Sequence, residues 1–180
     1  MKSIDTGAVV TAAQRFAFAL TVALWALAAL ASALLVWLLA DAGSAGRNLA
    51  DAAGFSVEIP RLWQSLALGA VVLAQIGILA GVIRAARAMF KALSASQPAS
   101  AAHNARIVAA WLWALFLWSV AAGALGSLIS TWHYPAGERA LAIQFGSAQI
   151  TTIVAALMAS FLARAFALGA ELWQDHREII

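Results

Sequence analysis

The sequence has no cysteine, so disulfides, thiolate metal sites and cysteine nucleophiles are excluded from the outset. Charge is scarce as well: 11% of residues are Asp, Glu, Lys or Arg, against about 25% in an ordinary soluble domain. Only three histidines occur, His103, His133 and His176, all outside the long apolar runs and none four residues from another. That spacing supplies neither a helical zinc-binding pair nor axial ligands for a haem held among helices. His133 beside Tyr134 and Glu138 would hold a metal only with help from another chain, and a histidine at headgroup level is the simpler reading. Inside the long apolar runs there is no ionisable side chain at all, although a proton-coupled antiporter or an intramembrane metalloprotease needs one there. No nucleophile–base pair can be assembled from what remains. The chain reads as non-enzymatic, with no catalytic residue, metal site or cofactor.

What is abundant is apolar: 64% hydrophobic residues and a mean hydropathy of +0.88 over 180 residues. A small soluble domain cannot hide that much apolar surface in one core, whereas a bilayer removes the need. Four charge-free stretches are long enough to cross one: 16–40, 62–83, 107–132 and, shorter and more polar, about 147–163. A helix rises about 1.5 Å per residue, so roughly 20 residues span a hydrocarbon core of about 30 Å. The first run follows Lys2 and Arg15 but exceeds the apolar core of a signal peptide, so an uncleaved helix is expected. The expected fold is therefore all-α, one membrane domain over 1–180 with four transmembrane helices.

Orientation follows from the basic residues. Lys2 and Arg15, then Arg84, Arg87, Lys91 and Arg106 in the central loop, and Arg164 and Arg177 in the tail make eight of the eleven. Arg47, Arg61 and Arg139 lie on the other side. The positive-inside rule then places both termini in the cytoplasm. Trp37, Trp63 and Trp132 are expected at the outer interface, Trp111 and Trp113 at the inner one, with Trp25 and Trp118 as deeper packing residues. In the outer loops, 55–59 and 141–145 alternate apolar residues, the pattern of a small two-stranded ribbon or of loops dipping into the interface.

On the inner side, Arg84, Arg87 and Lys91 form one stripe of a helical extension over about 84–93, which Pro98 is expected to end. Glu171, Asp175 and Glu178 form an acidic stripe on a second extension, about 164–178. The stripes either pair with each other or, for the basic one, meet anionic headgroups. Polar residues within the spans include Ser32, Gln75, Ser119, Gln149, Thr151, Thr152 and Ser160, which are read as buried. Gln75, near the middle of the second helix, either bonds a neighbouring helix or faces a polar cavity. Gly77 and Gly81, and Gly123 and Gly126, allow close helix approach within the chain or between copies of it.

Phe90-Lys-Ala-Leu, His103-Asn-Ala-Arg-Ile107, Leu162-Ala-Arg-Ala-Phe166 and the tail from Gly169 to Glu178 together resemble the DUF2975 family of small bacterial four-helix membrane proteins. The resemblance covers roughly 60–180, and the tail is its most specific part. Ser94-Ala-Ser-Gln-Pro98 stands where members usually carry Gly-Glu-x-Phe. The resemblance implies a bacterial inner-membrane protein without an assigned enzymatic activity. It also implies a helix-turn-helix regulator as a partner, since some members are encoded beside one. The expected role is regulatory or interactive, without direct contact with nucleic acid. Its cytoplasmic working surface is Arg84, Arg87, Lys91, Asn104, Arg106, Arg164, Glu171, Asp175 and Glu178. Asn104 is also a candidate cap for the third helix. Two alternatives are an accessory subunit of a larger membrane complex and a small transporter or channel subunit. The latter would bring Gln75, Gln149, Thr151 and Thr152 to one polar path.

Overall fold

The computed structural model describes residues 6–52, 54, 61–95, 97–132, 135, 141, 143 and 145–178. It is all-helical: α1 (Thr6–Ala40), α2 (Ala42–Ala52), α3 (Leu62–Ser94), α4 (Pro98–Ser130) and α5 (Ser147–Glu178). Four of the five are long and apolar enough to cross a membrane, along Val10–Ala40, Leu62–Ser94, Pro98–Thr131 and Ser147–Gly169. The chain is a multi-pass membrane protein. At about 1.5 Å per residue the long helices exceed a bilayer's hydrocarbon core, so the extensions expected of α3 and α5 are continuous with their spans. No strand occurs among the described residues. The run 55–59 lies outside them, and Leu141, Ile143 and Phe145 are exposed and irregular.

Two expectations about helix ends are corrected. Pro98 opens α4 rather than merely ending α3. Ala95 N–H donates to Lys91 O at 3.1 Å and Gln97 N–H to Ala92 O at 3.0 Å, closing α3 before the proline. Proline's missing N–H is harmless in the first turn of the next helix, where that donor has no partner anyway. Asn104 consequently lies inside α4 and caps nothing; its Nδ2 donates to Ser100 O at 2.9 Å.

The short α2 was not expected, since its two glycines are poor helix formers. Its ends explain it. Asp41 Oδ1 accepts from Ser44 N–H at 3.0 Å, an N-cap. That bond, with further ones from Ser44 and Gly43, holds the exposed Asp41 carboxyl below its usual 3.8. Gly54, at φ 79°, follows the other end and donates its N–H to Asp51 O at 3.0 Å. A left-handed residue after a helix suits glycine.

Contacts divide the chain into two compact units. The first comprises 1–26, 79–113 and 152–180, the second 27–78 and 114–151. In the second, Leu34 and Leu38 of α1 pack with Ala45 of α2, joined by Leu49, Val72, Leu73 and Ile76. Ala50 and Leu68 form a neighbouring cluster with Leu49 and Ile129. In the first unit the buried contacts are almost all alanine: Ala13 and Ala17 on α1, Ala101, Ala105 and Ala109 on α4, Ala156 and Ala163 on α5. Without a hydrophobic driving force in lipid, such small residues gain stability by letting helices approach closely.

Candidate functional site

All nine residues of the expected working surface fall in the first unit, on the last turns of α3, the first turns of α4 and the second half of α5. Arg84 and Lys91 are exposed, and Arg87 is half-buried with its Nε enclosed and unpartnered. Lys91 occupies the last turn of α3, where the helix dipole favours a cation. Arg106 of α4 and Arg164 of α5 are exposed and share a recess of about 270 Å³ with Ala109, Ser160 and Ala163. Trp113 secures that side by donating Nε1–H to Ser160 Oγ at 3.3 Å. Gly81 lets Trp111 pack, because a Cβ there would lie 2.8–2.9 Å from the indole ring. Gly77 has open space instead, with no close approach among the described residues. Glu171 is exposed, while Asp175 and Glu178 lie on α5 with side chains outside the described set. Chemically the recess offers two guanidinium groups on facing helices, a geometry suited to phosphate or carboxylate. Among the described residues no group of metal-binding side chains assembles, and His133, Tyr134 and Glu138 lie outside them.

The second unit holds a cavity of about 440 Å³. Gln75 of α3, Ser119 of α4 and Gln149 of α5 line it, with Leu68 and the flat backbones at Gly123 and Gly126. Gln75 Oε1 is buried without a hydrogen-bond partner. The bond to a neighbouring helix that one reading expected is therefore not made by that oxygen. Of the four residues expected on a polar path, Gln75 and Gln149 meet here. Thr151 is exposed and donates to Ser147 O of its own helix at 2.8 Å, and Thr152 is half-buried. Ser32, Ser119 and Ser160 also donate to backbone carbonyls three or four residues back, at 2.7–2.9 Å. A hydroxyl satisfied in this way needs no partner from another helix.

Two amides have roles that sequence reasoning missed. Gln64, 2% exposed, accepts Arg61 N–H on Oε1 at 2.8 Å and donates Nε2–H to Ile129 O at 2.9 Å. It thus caps α3 and ties it to the last turn of α4. Gln149 Oε1 accepts Gly146 N–H at 2.9 Å, the same cap on α5. Both sit three residues after the residue that opens their helix, the position from which a glutamine reaches back to the cap N–H. That spacing was the available signal.

Several of the tryptophans have contacts or exposure that bear on packing. Trp63 and Trp132 meet edge to face at 6.2 Å, and Trp118 packs inward, its Nε1–H on Val71 O at 3.4 Å. Trp25 is not a packing residue: it is 74% exposed on the apolar surface of α1. No family model matches the chain, and neither a curated protein nor a solved structure is detectably similar to it.

Proposed function

We propose that this protein is a non-enzymatic regulatory or interaction component of the bacterial cytoplasmic membrane, with both termini in the cytoplasm. Its working surface is the polar end of the first unit: Arg84, Arg87, Lys91, Asn104 and Arg106 from α3 and α4, and Arg164, Glu171, Asp175 and Glu178 from α5. One observation carries this reading. Residues far apart in sequence fall in one compact unit, and Arg106 and Arg164 from different helices line one recess. Two fixed cations on facing helices select a partner's anionic groups better than the same charges on a loose tail. The resemblance at the Asn104–Arg106 element and the α5 tail supports a helix-turn-helix regulator as that partner. Nucleic acid then meets the regulator and not this chain.

The test is a crosslinking pull-down from native membranes, comparing the intact protein with a chain lacking 171–180. Capture of a soluble regulator by the intact protein alone is the expected result. Membrane subunits captured equally by both forms would make the chain an accessory of a larger complex and overturn the proposal.

A further inference from the structure

We infer that the cavity of the second unit is a binding site for a small, uncharged solute that carries both a hydrogen-bond donor and an acceptor, as a primary amide or a vicinal diol does. The inference concerns a different unit from the proposed interaction surface and stands independently of it.

Size comes first. About 440 Å³ falls within the range of small-molecule pockets, toward its lower end. The lining then selects the chemistry. Among the described residues it has no ionisable side chain, so a charged ligand would lose its hydration without a counter-charge from them, at a cost no neutral amide offsets. A wholly apolar ligand fails for the opposite reason, because it leaves the buried carbonyl oxygen of Gln75 unmatched.

What those side chains offer can be read one by one. Gly146 N–H can only donate, which fixes the bonded atom of Gln149 as its oxygen and leaves its Nε2 amide hydrogens as what it can present. Ser119 has committed its hydroxyl hydrogen to Phe116 O at 2.8 Å, so only its oxygen lone pairs remain. Gln75 carries a buried carbonyl oxygen with no partner, and such an orphan in a polar pocket calls for a donor. The site therefore supplies acceptors from α3 and α4 and a donor from α5. Gly123 and Gly126 add no side chain to the α4 wall beside Ser119 and Ala122.

The probe is acetamide, with N,N-dimethylacetamide as its control. The two share a carbonyl acceptor, and only acetamide has N–H donors. Saturation transfer from the detergent-solubilised protein to each amide is recorded by NMR as a function of concentration. Acetamide should give a saturable signal, with dimethylacetamide weaker by about fivefold or more, the scale of one unmatched buried hydrogen bond. Gln75→Leu should abolish the difference between the two amides. Gly123→Leu, which fills the space, should remove both signals. Helical circular dichroism and an unchanged elution volume identify variants that remain folded. Equal signals from the two amides, a preference that survives Gln75→Leu, or a signal that never saturates would each overturn the assignment and leave a pocket of water.

Discussion

At the residue scale, Gly46 lies tightly against Ser65. A Cβ on Gly46 would fall on Ser65 Oγ, 2.7 Å from Ser65 Cβ and 3.1 Å from its Cα. A side chain can turn away from such a clash, but a backbone atom at that distance cannot. Ser65 is itself fully enclosed, and its hydroxyl has no partner, which normally costs about 1–3 kcal/mol. Two effects of opposite sign follow. Gly46→Ala should lower unfolding stability in detergent by about 1–3 kcal/mol, the usual cost of overpacking. Ser65→Ala should raise it by about 1 kcal/mol, because it deletes an unsatisfied group without enlarging the side chain. The double variant should recover part of the loss but not all of it, since the new methyl still presses on the backbone at position 65. Thermal unfolding of the three purified variants measures this, and a destabilised Ser65→Ala would mean that the hydroxyl is partnered after all. None of it is legible in the sequence, where Gly46 and Ser65 are unremarkable members of different segments.

At the scale of elements, the four long helices were readable because length and absence of charge decide them. Burial did not need to be known. The errors came where a residue type serves two purposes. Proline both ends and begins helices, and at Pro98 only the ending was read: α3 stops at Ser94, and Pro98 also opens α4. Asparagine caps helices but also tolerates their interior, and Asn104 sits there with its amide on Ser100 O. The helix α2 escaped because its propensity is poor and its support is tertiary: Ala45, Gly46 and Ala50 are buried against neighbours. For the candidate sites, the sequence marked Gln75 as costly at depth but could not say that α5 would bring Gln149 to the same cavity. Which helix faces meet is a property of packing. Gln64 shows how much one such joint matters. It satisfies the N–H of Arg61 and the carbonyl of Ile129 at once, so Gln64→Leu strands two polar groups at a buried joint. The expected loss is about 2 kcal/mol, with faster amide exchange at 129–132 as the local signature. Exchange unchanged at 129–132 in Gln64→Leu would mean that the α3–α4 tie is not structural.

At the scale of the whole molecule, the surface decides the environment. Phe18, Trp25, Leu39 and Phe161 are 71–82% exposed, and soluble proteins do not present large apolar side chains in such number. Against a bilayer the same surface is ordinary. The proposed direction rests on charge, since eight of eleven basic residues belong to the termini and the segments around 84–106. The absence of cysteine makes this direction measurable, because any introduced thiol is the only one. Gln97 is exposed between α3 and α4, and Arg47 is exposed on α2. With both termini cytoplasmic, a membrane-impermeant maleimide added to intact cells should label Arg47→Cys and leave Gln97→Cys unlabelled until the membrane is opened. A thiol at Trp25 should resist the reagent on both sides, because an aqueous maleimide does not enter hydrocarbon. Labelling of Gln97→Cys in intact cells with Arg47→Cys protected would invert the protein. The recess of Arg106 and Arg164 would then face away from any cytoplasmic regulator, and the proposed function would fall with the orientation.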